Sequence, residues 1–266
     1  MLRNRGRWGL FLLLIAAGVG FWIWQSRETA QAPTNPTATH PPATPTIKQS
    51  DPVPRYPLPV APLRKPELQP LPALNDSDEY LRLDVARIFG NELTALLVRE
   101  ALIERLVATI DNLPRAQIAE RVRPVEPLSS SFVALGQDDS GEYLLGADNY
   151  RRYDALVLQL EAADIGQITE LYQRYYPLFQ KAYEGLGYPQ GYFNDRLVEV
   201  LDHLIATPDP DDPILLLQPH VLYEYADEDL ASLSGGQKLL IRMGPAHRQK
   251  VLAVISAFRE QVAVTP

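Results

Sequence analysis

The sequence predicts a mainly α-helical, multi-helix globular domain with a small β-hairpin or two short strands, preceded by one transmembrane helix and a disordered Pro-rich linker. Three observations carry this. Residues 8–24 hold seventeen residues without a charge, residues 33–72 hold 13 of the chain's 24 prolines, and from residue 73 onward apolar residues recur at helical spacing.

At ~1.5 Å per residue the run 8–24 reaches ~26 Å as a helix, near the short end for crossing a bilayer. Trp8, Trp22 and Trp24 stand at its two ends, where amphipathic rings favour the lipid–water boundary. Arg3, Arg5 and Arg7 precede it, so residues 1–7 are expected to stay cytoplasmic and everything after residue 24 to lie across the membrane. Ala30-Gln31-Ala32 resembles a signal-peptidase site, but Pro33 would follow the cut and the apolar run exceeds a signal core, so a retained anchor is expected. Ala16 and Gly20 form a small-xxx-small pair able to seat a weak homodimer.

Residues 25–72 read as a stalk, because proline removes backbone donors and favours extended polyproline II. The domain 73–266 follows. Asp76 with Glu79 suggests a capping box ahead of Leu81, Val85, Ile88 and Phe89. A second helix is expected over 91–110, stopped by Asn112-Leu113-Pro114. Residues 131–135 and 142–145 make a plausible hairpin across Asp138-Asp139-Ser140-Gly141. Asp148 is expected to cap a helix bearing Tyr150, Tyr153, Leu156, Val157 and Leu160, and Asp164 with Gln167 to open the next, which contains Pro177. A helix over 193–206, short strands over 214–218 and 221–225, and helices over 234–243 and 245–262 complete the chain.

Composition excludes several functions. Without its three N-terminal arginines the chain has 22 basic against 33 acidic residues, so no nucleic-acid partner is expected. The absence of cysteine removes disulfides, thiolate metal sites and cysteine nucleophiles.

The remaining motifs point to chemistry only weakly. Leu233-Ser234-Gly235-Gly236-Gln237 matches the signature of ABC-type ATPases, but no GxxxxGK[ST] loop accompanies it, so it reads as an S-x-x-Q capping box and a chance match. His40, His203, His220 and His247 lack metal-ligand spacing, and Asp209, Asp211 and Asp212 lack the rest of a calcium loop. Asp195, Glu199 and Asp202 share one helix face, an arrangement a cell-wall (peptidoglycan) hydrolase could use and any solvated helix also shows. Tyr176 and Tyr183, seven residues apart, are candidates for an exposed partner stripe within a tyrosine-rich region. No catalytic, cofactor or metal residue is assigned.

Several strings resemble a known family. They are Pro70-Leu71-Pro72 before Ser77-Asp78, the run Leu106 to Pro114, Asn149-Tyr150-Arg151-Arg152-Tyr153, Pro177-Leu178-Phe179, Leu186-Gly187-Tyr188-Pro189, and Gly236 through Pro245. In this order they are similar to bacterial domain of unknown function 3014. The resemblance implies an N-terminal anchor, a low-complexity linker and a helical domain, and brings no activity or site. The expected role is that of a non-enzymatic interaction or scaffold module with an envelope protein partner and no nucleotide. The alternatives are the hydrolase and a periplasmic ligand-binding sensor, which would need an apolar pocket.

Overall fold

The computed structural model describes residues 53–58, 70–126, 132–136, 141–162, 164–211, 213–220 and 222–264. The expected anchor with Trp8, Trp22 and Trp24, the Ala16–Gly20 pair and the site at Ala32 lie outside the described residues. Among the described residues no helix is long and apolar enough to cross a membrane.

The domain is mainly helical. In chain order the helices are α1 (Asp78–Phe89), α2 (Asn91–Thr94), α3 (Leu102–Asn112), α4 (Asp148–Arg151), α5 (Asp154–Glu161), α6 (Ile165–Gly185), α7 (Phe193–Ile205), α8 (Glu228–Ser232), α9 (Gly235–Arg242) and α10 (Pro245–Val262). The strands are β1 (Ala134–Leu135), β2 (Tyr143–Leu145), β3 (Leu215–Leu217) and β4 (Glu224–Tyr225).

Helices α3, α6, α7 and α10 pack against one another, with α5 on α10. Leu102, Ile103, Val107, Tyr172, Tyr175, Phe193, Leu201, Ile255 and Phe258 fill the core between them. The rings of Tyr172 and Phe258 meet edge to face at 5.8 Å, and Phe179 stacks on Phe193 at 5.7 Å. The α6 helix opens as expected, with Asp164 accepting from the Gly166 and Gln167 amides, and it continues through Pro177.

Three expected elements are corrected. The helix expected over 91–110 is broken: residues 95–101 leave it, and Leu97 pairs with Val125 in an isolated bridge. Arg82 donates to the Leu97 and Val98 carbonyls, and Asp78 accepts from the Ala101 and Leu102 amides at 2.8 and 2.7 Å. The start of α3 is thus capped by a carboxylate 24 residues upstream, which satisfies amides that a local cap would otherwise serve. At α1, no box forms from Asp76 and Glu79. Residues Leu74–Asp76 make a 3₁₀ turn, and Ser77, buried, donates to the Leu74 carbonyl at 2.6 Å. The helix expected from Asp148 is split at Arg152-Tyr153 into α4 and α5, and Asp148 makes no side-chain cap.

The hairpin β1–β2 and the pair β3–β4 form as expected, and they join into one antiparallel sheet of order β1-β2-β3-β4. That join, Tyr143↔Leu216 and Leu144↔Leu215, links segments seventy residues apart. Leu145, Leu216 and Tyr225 turn to a second core with Ile214, Leu230 and Ile241. Buried Asn149 fastens the sheet to α4, exchanging both Val133 backbone bonds and donating to the Gly146 carbonyl.

Part of the expected stalk is also corrected. Residues 53–58 lie against the domain as a strap that bends at Arg55-Tyr56, with Tyr56 and Leu58 packed on the main core.

Candidate functional site

The strap explains the carboxylate face of α7. Asp195 accepts from the Arg55 and Tyr56 amides at 2.9 and 2.8 Å, and Glu199 lies 3.6 Å from the Arg55 guanidinium and 3.5 Å from that of Arg196. Asp202 accepts from Arg259 Nε at 2.8 Å, a bond that raises the pKa of Arg259. The three carboxylates share a face, yet all are engaged structurally: Asp195 and Glu199 with the strap, Asp202 with Arg259. Next to them, fully buried Asn194 reads the strap's backbone. Its amide donates to the Tyr56 carbonyl at 2.8 Å and the Val262 carbonyl at 2.9 Å, while its Oδ1 accepts from Tyr172. Burial holds the Tyr172 hydroxyl well above its ordinary pKa, so it stays a donor.

An Asp195→Ala chain should therefore release the strap while the domain stays folded. Hydrogen bonds to an ionised carboxylate contribute roughly 1.5–3 kcal/mol, so trypsin cleavage after Arg55 should accelerate about tenfold or more. Unchanged cleavage would show that other contacts hold the strap.

The Leu233–Gln237 string forms the expected capping box. Ser234 Oγ accepts from the Gln237 amide, and Gln237 Oε1 accepts from the Ser234 amide. Its glycines have a further use in seating α9 on the end of α3. The Gly235 amide donates to the Arg115 carbonyl at 2.7 Å, and the Gly236 amide to the Leu113 carbonyl at 3.0 Å. A Cβ on Gly236 would stand 2.7 Å from Leu204 Cδ2 and 3.1 Å from the Leu113 oxygen, so only glycine lets these backbones approach. The motif's polar groups face protein.

His203 Nε2 lies 2.9 Å from Ser234 Oγ. The Ser234 hydroxyl has two acceptor lone pairs, so beside the Gln237 amide it can either donate to the ring or accept from it. Burial, then the Arg196 charge, lowers the His203 pKa below its ordinary 6.5. A depressed histidine pKa means that the unfolded chain binds more protons below that value, so stability falls as pH drops through it. Thermal unfolding of the full chain should weaken between about pH 7 and pH 5, and His203→Gln should flatten that slope. An equal slope in the variant would remove His203 from the pH response.

The other expected groups are dispersed. His247 pairs with Asp154 at 3.1 Å and with the Met243 carbonyl at 3.0 Å, while His220 is exposed. Asp209 pairs with Arg248, a buried guanidinium on α10 whose pKa burial lowers, and so ties the aspartate loop to the core. Among the described residues no group of three or more metal-ligating side chains comes together.

The stripe expected to be exposed at Tyr176 and Tyr183 is turned inward, which corrects that expectation. Tyr183 is 7% exposed and stacks on Tyr188 at 4.7 Å, and half-buried Tyr176 meets Tyr172 edge to face at 5.8 Å. The outward aromatic of this region is Tyr188, whose hydroxyl lies 3.5 Å from Asp111. Helix α6 presents its seven-residue spacing to α7 and α10, so a heptad-spaced pair lands on the packed side.

The apolar surface lies instead on the sheet. Leu135, Leu144 and Leu215 are cross-strand partners in one row, and Leu217 faces Glu224 in the next. These four leucines are 38–42% exposed, on the side opposite the second core. Sequence reading missed this face. The doubled leucines at 144–145 and the triple at 215–217 were its signal, since a half-buried strand needs only alternate apolar positions.

The family model described as protein of unknown function (DUF3014) matches residues 102–259. The chain belongs to the DUF3014 family. Neither a curated protein nor a solved structure matches it. The DUF3014 match runs from the first residue of α3 into the last turns of α10. It therefore takes in the Ser234 box, the α7 carboxylates and the whole sheet, whereas the strap and α1 precede it.

Proposed function

We propose that this DUF3014 protein is a single-pass protein of the bacterial inner membrane that holds a non-enzymatic interaction module in the periplasm. Residues 8–24 anchor it with the N-terminus in the cytoplasm, and the proline-rich segment carries the domain outward. Trp8, Trp22 and Trp24 mark the membrane boundaries, and Ala16 with Gly20 offers a dimer contact between anchors.

The observation that carries the module reading is the open leucine face of the sheet. Its side chains are among the exposed large apolar groups and outside both core clusters, and contiguous apolar surface on a folded domain is characteristic of a docking surface. The α7 carboxylates support the same reading, because Asp195 and Asp202 are engaged with the strap and with Arg259.

The test has two readouts. Alkaline phosphatase fused after Pro266 should be active in cells and β-galactosidase fused there inactive. A photocrosslinking residue at Leu144 should form adducts with another polypeptide, whereas one at Leu158, 67% exposed on α5, should not. A reporter active only in the cytoplasm overturns the topology. Muropeptides released from peptidoglycan by the purified chain, and lost in Asp195→Asn, would replace the module by a hydrolase.

A further inference from the structure

Beyond the leucine face, we infer that the end of the domain where α7 begins and α10 ends is a recognition site for a short proline-flanked peptide. The ligand class is a segment of Pro-Arg-Tyr-Pro-Leu type, and residues 54–58 of this chain are its resident occupant. The two helices meet there because Asn194, in the first turn of α7, donates to the carbonyl of Val262, the last residue of α10.

The match begins with the backbone. Between Pro54 and Pro57 the amide N–H groups belong to Arg55 and Tyr56 alone, since proline has none. One carboxylate takes both: Arg55 donates to Asp195 Oδ2 at 2.9 Å and Tyr56 to Oδ1 at 2.8 Å. Successive amides point to opposite sides of an extended strand, so the bend at Arg55-Tyr56 is what turns them onto a single acid. The Tyr56 carbonyl then accepts from Asn194, a side chain with no exposed surface. Two adjacent side chains of α7 thus read three neighbouring backbone groups.

Side chains complete the fit. Tyr56 and Leu58 pack on the main core. Asp202 and then the Tyr56 phenol raise the Arg259 pKa, which sets that phenol near α10. Arg55 is 66% exposed and stands 3.6 Å from Glu199, so its ion pair contributes little. The prolines fix φ at positions 54 and 57 and keep Tyr56 out of helical backbone, so little chain entropy is lost on docking.

Receptor and ligand are separable. Among the described residues no backbone–backbone hydrogen bond joins 53–58 to the domain, so side chains of α7 hold the segment. Asp195 and Glu199 lie inside the DUF3014 match, and the segment lies well ahead of its first residue. Were the segment to leave, Asp195 would give up both amides, while Asn194 would keep Val262 and Tyr172 and open one buried donor. Groups opened in this way favour recapture of a peptide with the same order of donors and acceptor. The tether through residues 59–69 then acts as a local concentration, on the order of millimolar for a short linker.

The test uses the full chain in neutral detergent. Tyr56→Gly/Leu58→Gly removes the two side chains that seat the segment on the core and so opens the site. A fluorescent peptide with the sequence of residues 53–58 is added, and binding is read by anisotropy. It should bind the opened chain, and wild type at least about tenfold more weakly, because the tethered segment competes. Adding Asp195→Ala to the opened chain should weaken the peptide about tenfold or more, the effect of losing hydrogen bonds to a carboxylate. A depsipeptide with an ester in place of the Arg55–Tyr56 amide lacks one donor. It should bind the opened chain more weakly than the amide, yet equally on the Asp195→Ala chain. Within the peptide, Tyr56→Ala should weaken binding about tenfold and Arg55→Ala less than about threefold. In unaltered wild type, excess peptide should accelerate amide exchange at Arg55 and Tyr56 several-fold, a readout that stands even if the opened chain misfolds.

Equal binding of the peptide with and without Asp195 overturns the inference, as does equal binding of ester and amide to the opened chain. So does absence of binding to an opened chain that keeps its tyrosine dichroism, or unchanged exchange in wild type. A wild-type sedimentation dimer lost in the opened chain would assign the segment to a second copy and overturn its residence in the same chain. None of these results bears on crosslinking at Leu144, so this site and the module reading fail separately.

Discussion

Replacing Asp111 by alanine is expected to destabilise the domain by about 2–3 kcal/mol, because its carboxylate organises the junction of α3, α7 and the loop before α7. Its side chain is 5% exposed and takes Arg196 Nε at 2.8 Å and Arg115 Nη2 at 3.1 Å. Arg196 also donates to the Asp111 carbonyl at 2.9 Å, in the last turn of α3, where helix carbonyls lack partners. One guanidinium therefore pairs the side chain and caps the helix. Removing one member of a buried pair costs ~3–5 kcal/mol when the other charge is stranded. Here Arg196 is 27% exposed and Arg115 is 56% exposed, so water relieves part of that cost and the lower figure applies. Asp111→Asn keeps an acceptor of the same shape and should lose about half as much. Urea unfolding followed by near-UV tyrosine dichroism measures both variants, since all three tryptophans lie at residues 8–24 and none in the domain. A loss below about 1 kcal/mol in Asp111→Ala would mean that the cluster is effectively solvated.

The parts of this fold that were legible in the chain are those whose cause is local. Asp164 and Ser234 cap their helices as the D-x-x-Q and S-x-x-Q patterns respectively require, and α7 and α10 end within a residue or so of their expected limits. Strands β1 and β2, close in sequence, pair antiparallel as expected.

What escaped sequence reading depends on distant partners. The apolar stripe from Leu93 to Ile110 is buried as a helical stripe would be, yet its middle is drawn out of helix by Val125, Arg82 and Asp78. Ala101, at φ 54, holds the resulting corner, a conformation that its residue type does not advertise. The strap leaves no periodic trace, because Asp195 and Asn194 bind its backbone and many sequences supply the same groups. The leucine face is visible only after β2 is known to pair with β3. Before that, the doubled and tripled leucines signal only that both faces of the strands are apolar, not that one of them stays open.

Gly244→Ala should destabilise the domain strongly, with an expected loss of about 3 kcal/mol assembled from two independent causes. Gly244 divides α9 from α10 at φ +84, the left-handed region, where a Cβ costs roughly 1–2 kcal/mol. That Cβ would also stand 2.5–2.8 Å from three atoms of the Tyr150 ring, closer than any contact can be. The ring cannot retreat freely. It packs on the second core, and its helix α4 is fastened through Asn149 to Val133, just before β1. Overpacking of this kind costs ~1–3 kcal/mol. A cycle with Tyr150→Ala separates the causes: removing the ring should recover the overlap but not the backbone strain, leaving a coupling of about 1–2 kcal/mol. Full additivity would mean that the ring moves aside unopposed. The damage should also travel, because Tyr150 sits under the sheet whose far side carries the leucine row. Amide exchange at Leu144 and Leu216 should therefore accelerate in Gly244→Ala more than exchange in α6, whose buried residues belong to the main core. Uniform acceleration would assign the loss to global unfolding alone and detach the sheet from the α9–α10 corner.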